Sequence, residues 1–238
     1  MEDQRSIIKE MDWDYLIGLD ACRYDSFEMF NKIKGNYQRV ESPAGDTIAW
    51  YNRVFFGRYD ITLYSASPWL SKHVDIGGYL AGRHFKDVIE IWDKGWDNER
   101  QTTPPEVTYE YAKDAEPKSI IWFEQPHFPA VNEKDKDLWC KSNPYKVESG
   151  RYLIDMYLKQ EIPEERIRQA HFNNVEAVMP YVEKLVDKLK GKIIITADHG
   201  ELLGELLEPN HTGWFHGEKE FAAFHPEKLY TVPLLIVE

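Results

Sequence analysis

Asp198 and His199 stand side by side at the end of an apolar run, Ile193-Ile194-Ile195-Thr196, in the stretch IIITADHGELLGE. A carboxylate oxygen next to an imidazole nitrogen suits a divalent cation such as zinc or manganese. Gly200 lets the backbone turn sharply behind them. Asp20 has the same placement, closing the apolar run Tyr15–Leu19. Each aspartate by itself reads as a capping or loop residue; the recurrence at two strand tips favours ligands facing one another across one ion. Thr47 follows the turn-rich segment Ser42-Pro43-Ala44-Gly45-Asp46 and opens a helical stretch. Threonine is a favoured N-cap. A hydroxyl there also lies beside free backbone N–H groups and the positive end of the helix dipole, where an attacked phosphoryl or sulfuryl group would be stabilised. A cation would favour the alkoxide of a hydroxyl that is otherwise a weak nucleophile.

Four further residues belong to the same reading. His127 lies between Pro126 and Pro129, which hold its loop extended and rigid. His211 and His216 follow the Asp-His-Gly segment, and of the two His216 is the choice for a late ligand. Arg23 is placed to meet a substrate anion, or to pair with Asp25 or Glu28. His171 reads as a packing or surface residue of a helix.

The elements that must position these groups alternate. Short helices are expected over Ser6–Met11, Ser26–Ile33 with Asp25 or Ser26 as N-cap, Ile48–Phe56 and Glu106–Ala115. Pro163–Leu189 reads as mostly helical, kinked or split at Pro180. Strands are expected at Tyr15–Leu19, Tyr37–Glu41, Asp60–Ser65, Lys86–Trp92, Ser119–Phe123 and Ile193–Thr196. Leu229–Val237 should be a final strand at a sheet edge, because it contains Pro233. Glu208–Glu220 reads as a loop. This order implies an α/β three-layer sandwich: a mostly parallel central sheet with helices on both faces and acidic or imidazole groups along one rim. We expect one domain over 1–238, with 131–157 as an insertion or lid.

The bulk composition narrows the function. Hydrophobic residues make up 42% of 238, enough for a sizeable core. A net charge of −12 argues against nucleic acid as partner; an anionic small-molecule or polymer-linked ester remains compatible if a metal supplies local positive charge. Two cysteines, Cys22 and Cys140, imply no disulfide framework. No signal-like start and no apolar run of membrane-spanning length is evident, so the expected location is cytoplasmic.

Four segments, in order, resemble the alkaline phosphatase superfamily, especially its sulfatase-like branch. YLIGLDACRYD is similar to the first strand and its metal-binding aspartate, here Asp20. SPAGDTIAWYNRVFFG resembles the nucleophile loop and helix, with Thr47 at the nucleophile position. EQPHFP resembles the segment whose histidine contacts the substrate ester, here His127. ITADHGELLGE, with a later histidine and TVPLLIVE, resembles the C-terminal metal segment. The chain departs from the sulfatases in lacking a C/S-x-P-x-R motif, so formylglycine chemistry is not expected. The resemblance implies one or two divalent ions, zinc or manganese foremost, with calcium or magnesium compatible. Asp20, Thr47, Asp198, His199 and His216 would hold them, with His127, His216 or Glu124 available to a second. Arg23, His127 and His211 would contact substrate. The implied activity is hydrolysis of phosphate mono- or diesters, or of sulfate or phosphonate esters, through a covalent Thr47 ester released by metal-activated water. The alternatives are a phosphotransferase using the same ester and a non-catalytic metal-binding relative.

Overall fold

The computed structural model describes residues 1–139 and 151–238. The middle of the expected 131–157 insertion, and Cys140 with it, lies outside the described residues. At its flanks, a 3-10 helical stretch at Glu133–Leu138, kinked at Asp135, and a helix at Arg151–Leu158 are present. Leu138, Trp139 and Leu153 pack with Phe128, Ile167, Ala170 and Leu203 in a second apolar cluster.

The strands are β1 (Glu2–Asp3), β2 (Tyr15–Asp20), β3 (Asn36–Glu41), β4 (Tyr59–Ser65), β5 (Phe85–Glu90), β6 (Ser119–Pro126), β7 (Ile193–Ala197), β8 (Leu202–Glu208), β9 (His211–Phe215) and β10 (Thr231–Val237). Eight form one sheet in the order β1-β3-β10-β7-β2-β6-β4-β5, and β8 and β9 pair separately. Among the described strands of the large sheet only β10 runs against its neighbours. This is the mostly parallel α/β sheet that the alternating elements implied. The centre is apolar on both faces: β2, β6 and β7 are buried along their whole lengths, as parallel strands covered by helices must be.

Three helices decide where the site forms. They are α1 (Gln4–Glu10), α3 (Thr47–Val54) and α8 (Glu164–Lys188); the others described are α2 (Tyr24–Phe30), α4 (Ala81–His84), α5 (Ile91–Gly95), α6 (Pro105–Ala112), α7 (Arg151–Leu158), α9 (Glu218–Phe221) and α10 (Glu227–Tyr230). On α3, Trp50 and Tyr51 are fully buried. Their rings lie 5.3 and 5.0 Å from the ring of Trp122 on β6. Trp122 in turn fills the space above Gly18 on β2, where any Cβ would fall 2.1 Å from its ring. Buried Gln4 of α1 accepts from the Trp50 indole at 2.8 Å and donates to Thr196 Oγ1 at 2.7 Å and to the Ala197 carbonyl at 2.6 Å. One amide thus ties the helix that begins at Thr47 to the strand end that precedes Asp198.

Several local expectations need correction. The first helix after β2 begins at Tyr24, with Arg23 in the cap position and no side-chain cap bond. Thr47 is the first helical residue rather than the cap; Asp46 caps, its carboxylate accepting from the Ala49 N–H at 2.7 Å. Helix α8 runs continuously through Pro180. The stretch Glu208–Glu220, expected as a loop, contains β9, which pairs with β8 in a hairpin, and the short helix α9; in the hairpin Leu202 and Leu203 are buried and Leu206 is exposed. Strand β10 is interior, between β3 and β7. Pro233 is tolerated because pairing with β7 starts only at Leu234, and the Pro233 carbonyl accepts from Thr196 Oγ1 at 2.7 Å.

Candidate active site

The carboxyl ends of the parallel strands bring together groups that lie far apart in sequence. Asp20 is the last residue of β2 and is buried. Asp198 and His199 follow β7 directly and are fully buried. One ligand atom from each of Asp20, Asp198 and His199 lies within 4.8 Å of the others. Thr47 Oγ1 stands over the same point, 3.4 Å from Asp20 Oδ2 and 3.4 Å from His199 Nε2. Because Asp46 takes the capping role, the Thr47 hydroxyl is left to this cluster.

Each donor atom is aimed by its partners. His199 Nδ1 donates to the Gly200 carbonyl at 2.7 Å, which places the lone pair on Nε2, toward Thr47. Asp198 Oδ1 accepts from the N–H groups of Ala21 at 3.1 Å and His199 at 2.9 Å. Asp198 Oδ2 has no hydrogen-bond partner. A buried, orphaned carboxylate oxygen is costly unless a cation meets it. Glu124 Oε2 is a second such atom. The set fits a divalent ion: two aspartate oxygens, one imidazole nitrogen and a hydroxyl.

A second group lies alongside. His127, Glu201 and His216 also offer ligand atoms within 4.8 Å of one another. His127 is positioned by a shift in the β2–β6 register: Leu19 pairs with Phe123, but Asp20 pairs with Pro126. The His127 N–H donates to the Asp20 carbonyl at 3.0 Å and its Nδ1 to the Phe128 carbonyl at 2.6 Å. His216 Nδ1 donates to Glu201 Oε1 at 3.0 Å. The His216 ring lies 4.4 Å from that of His199 and 5.0 Å from that of His127. The turn after His216 clasps the loop before Thr47: the Gly45 N–H donates to Glu218 Oε2 at 2.7 Å, the Glu218 N–H to Asp46 Oδ2 at 3.1 Å, and Arg53 pairs with Glu218 at 2.8 Å.

Charge balance points the same way. Burial raises the Asp20 carboxyl well above its usual range, and neighbouring Asp198, Glu124 and Glu201 add to it. Asp198 is raised by burial, and Glu124 is pushed by burial to about 7. Burial, reinforced by His216, lowers both His127 and His199 to about 3, so each is a neutral ligand or acceptor at ordinary pH. Burial opposes the proton on His216, yet Glu201 raises it overall. A divalent cation placed among these carboxyls would favour their charged forms.

The pocket over Thr47 is a cavity of about 640 Å³. Asp20, Thr47, His127 and His216 line its floor, with Asn52, Trp69, Lys219 and Glu220 among the residues farther out. Two expected substrate contacts are not among its lining residues. Arg23 is buried and engaged, pairing with Asp25 at 2.8 Å and Glu205 at 2.6 Å and donating to the Glu201 carbonyl at 3.2 Å. Its position between two carboxylates settles it into an ion network beneath the site. His211 sits at the hairpin turn, opposite Glu208, with its ring 4.9 Å from Phe224. The hairpin returns Phe215 to Leu202, which carries His216 rather than His211 to the rim. Glu201 has no local signal in the sequence beyond following the Asp-His-Gly motif directly; only the fold shows that its buried carboxylate meets His216.

No protein-family model and no curated protein matches this sequence. Solved structures do match its shape. The integral membrane lipooligosaccharide phosphoethanolamine transferase A (EptA) of Neisseria meningitidis superposes over 93% of this chain and 46% of its own, with 12% identity and a TM-score of 0.58. The C-terminal periplasmic domain of EptC from Escherichia coli, in complex with zinc, covers 96% of this chain and 74% of its own, at 13% identity and a TM-score of 0.57. The corresponding domain of EptC from Campylobacter jejuni covers 94% and 78%, at 10% identity and a TM-score of 0.51. The chain thus spans about half the length of the first of these, EptA. Among the described residues no helix is long and apolar enough to cross a membrane. The chain has the α/β fold of these phosphoethanolamine transferase domains, the fold that the resemblance to the alkaline phosphatase superfamily implied.

Proposed function

We propose that this chain is a metal-dependent enzyme that moves a substituted phosphoryl group through a covalent ester on Thr47. The observation that carries this reading is the convergence of the Thr47 hydroxyl, two buried aspartates and a neutral imidazole on one point at the floor of an open cavity. Asp20, Asp198, His199 and Thr47 would hold a divalent ion, zinc or manganese foremost. When bound, the ion supplies positive charge that lowers the pKa of the hydroxyl and offsets the charge of the phosphate.

The chain's own residues do the rest. Helix α3 presents Thr47 at its N-terminus, with backbone N–H groups toward the incoming phosphoryl oxygens. Thr47 Oγ1 forms a bond to phosphorus as the bond to the departing oxygen breaks. The hydroxyl proton passes to that oxygen through the imidazoles lining the floor. His127, neutral and rigidly held, and His216, kept in its tautomer by Glu201, contact the phosphoryl and departing oxygens. In the second half an acceptor hydroxyl attacks phosphorus and Thr47 Oγ1 leaves, regaining a proton. The likeness to domains described as phosphoethanolamine transferases supports an alcohol or sugar hydroxyl as acceptor, with water as the competing acceptor that makes the same site a hydrolase.

The test uses the zinc-loaded chain with a panel of nitrophenyl phosphate mono- and diesters and the sulfate, with and without added alcohols. Trapping a phosphoryl adduct on Thr47 by mass spectrometry, lost in Thr47→Ala, supports the reading. Products carrying the added alcohol identify transfer; free phosphate or monoester alone identifies hydrolysis. Turnover in Thr47→Ala at the parent rate, or tight metal binding without turnover of any ester, overturns it.

A further inference from the structure

Helix α8 sends one side chain to the end of β2 that the proposed chemistry does not use. His171, expected as a packing or surface residue, is completely buried. Its Nε2 lies 3.1 Å from the Ala21 carbonyl oxygen, and its Nδ1 has no partner. A carbonyl only accepts, so Nε2 carries the proton and the bare Nδ1 is a lone pair. Burial first, then the charge of Arg23, lowers the ring to about 4, in keeping with this neutral form.

The residue that His171 holds is unusual. Ala21 directly follows Asp20 and has φ +58°, in the left-handed region. That region is strained for an L residue and persists where the surroundings enforce it. The peptide unit on one side of Ala21 joins both halves of the site: its carbonyl, that of Asp20, accepts from the His127 N–H at 3.0 Å, and its N–H, that of Ala21, donates to Asp198 Oδ1 at 3.1 Å. That second bond occupies Oδ1, while Asp198 Oδ2 has no hydrogen-bond partner and is the oxygen free to meet a cation. The peptide unit on the other side of Ala21 is the one His171 grips. The two planes are related only by the backbone torsions of Ala21. A grip on the second therefore sets the tilt of the first.

We propose that His171 is a positioning residue: by fixing the Ala21 carbonyl it maintains the left-handed turn and so orients the peptide that links Asp198 to His127. This rests on the reading of Asp20, Asp198 and His199 as a cation site.

The test measures zinc affinity of the full chain at pH 7.5 by competition with a chromophoric chelator, with thermal melting of the metal-free protein alongside. His171→Phe, which keeps the ring volume and loses the donor, should weaken zinc binding about 10–100-fold, the range for lost outer partners of metal ligands. His171→Gln, whose amide can still donate to Ala21, should stay within about threefold of the parent. Glycine adopts the left-handed region without strain, so adding Ala21→Gly to His171→Phe should recover part of the loss. If His171→Phe does not fold, His171→Asn, too short to reach Ala21, takes its place against His171→Gln. Parental zinc affinity in His171→Phe, or equal losses in the Phe and Gln variants whatever their melting temperatures, overturns the proposal. A parent chain that binds no zinc overturns the cation site itself and the role of His171 with it.

Discussion

Thr47 Oγ1 lies 3.4 Å from His199 Nε2 although 152 positions separate the two residues. The contact joins a helix N-terminus to a strand end, and neither element could make it without the other being fixed. Gln4, the aromatic stack on Trp122 and the clasp of Glu218 on the Gly45-Asp46 loop fix them. These contacts hold the two elements together, and the properties of the cluster can be tested by removing one support at a time.

Asp198→Asn keeps the shape of the side chain and halves its capacity as a ligand. Zinc affinity should fall at least about 100-fold, beyond what loss of an outer partner gives. Melting of the metal-free protein should not fall, because a buried carboxyl that burial holds toward neutrality is exchanged for a neutral amide. Chelator competition and calorimetric melting read the two effects separately.

Zinc affinity should rise with pH between about 5.5 and 7.5. Asp20, Asp198 and Glu124 have carboxyls raised by burial, Glu124 to about 7, so the metal-free protein holds protons there that a cation must expel. His127 and His199, lowered to about 3, are already neutral in this window and release none. The sign follows: fewer protons to displace at higher pH means tighter binding. Titration calorimetry in buffers of different ionisation enthalpy should detect proton release at pH 6 and less at pH 8.

Arg23→Met should destabilise the fold by about 3 kcal/mol, because it leaves carboxylates partly buried without their partner. The KM of the folded fraction for any ester substrate should stay within about twofold, since Arg23 is not among the residues lining the cavity. Urea unfolding and steady-state kinetics distinguish this from a substrate contact, which would raise KM and spare stability.

Asp25 carries a linked pH dependence. Burial opposes its charge, but hydrogen bonds from Arg23 and Lys228 hold the carboxyl well below the usual range. A depressed folded pKa contributes stability that is present above the unfolded value near 3.9 and is lost as pH falls through the folded value. Asp25→Asn should therefore be less stable than the parent at pH 7, with the difference shrinking steadily below pH 4. Parallel unfolding midpoints across this range would contradict the assignment.

Gly18→Ala should cost about 3 kcal/mol. A methyl at this position meets the Trp122 ring at 2.1 Å, and the ring is enclosed by Trp50 and Tyr51 and has no room to withdraw. Displacing Trp122 also disturbs α3, so the variant should lose activity further than its folded fraction accounts for. Urea denaturation combined with activity per folded molecule checks both parts.

Much of this was legible in the chain itself. The short β-branched runs ending at Asp20 and Asp198, and the alternation of strands with helices, dictate a mostly parallel sheet with acidic groups at its carboxyl rim. Burial on both faces leaves an apolar run no other stable place, and a polar group that ends such a run must emerge at the strand tip. The proline-flanked His127 and the loop before Thr47 were visible for the same local reason. What the tertiary structure decided were the questions with two local answers. Thr47 is a favoured cap by residue type, yet Asp46 accepts from the Ala49 N–H and is itself held by the Glu218 N–H, which leaves the Thr47 hydroxyl to the cluster. Arg23 could face a substrate or its own neighbours, and the approach of Glu205 from the hairpin draws it under the site. His211 and His216 differ only by the β8–β9 turn, which returns one to the rim and leaves the other at the far end. His171 and the Ala21 turn had no sequence signal, because a hydrogen bond across 150 positions exists only once helix and sheet have docked.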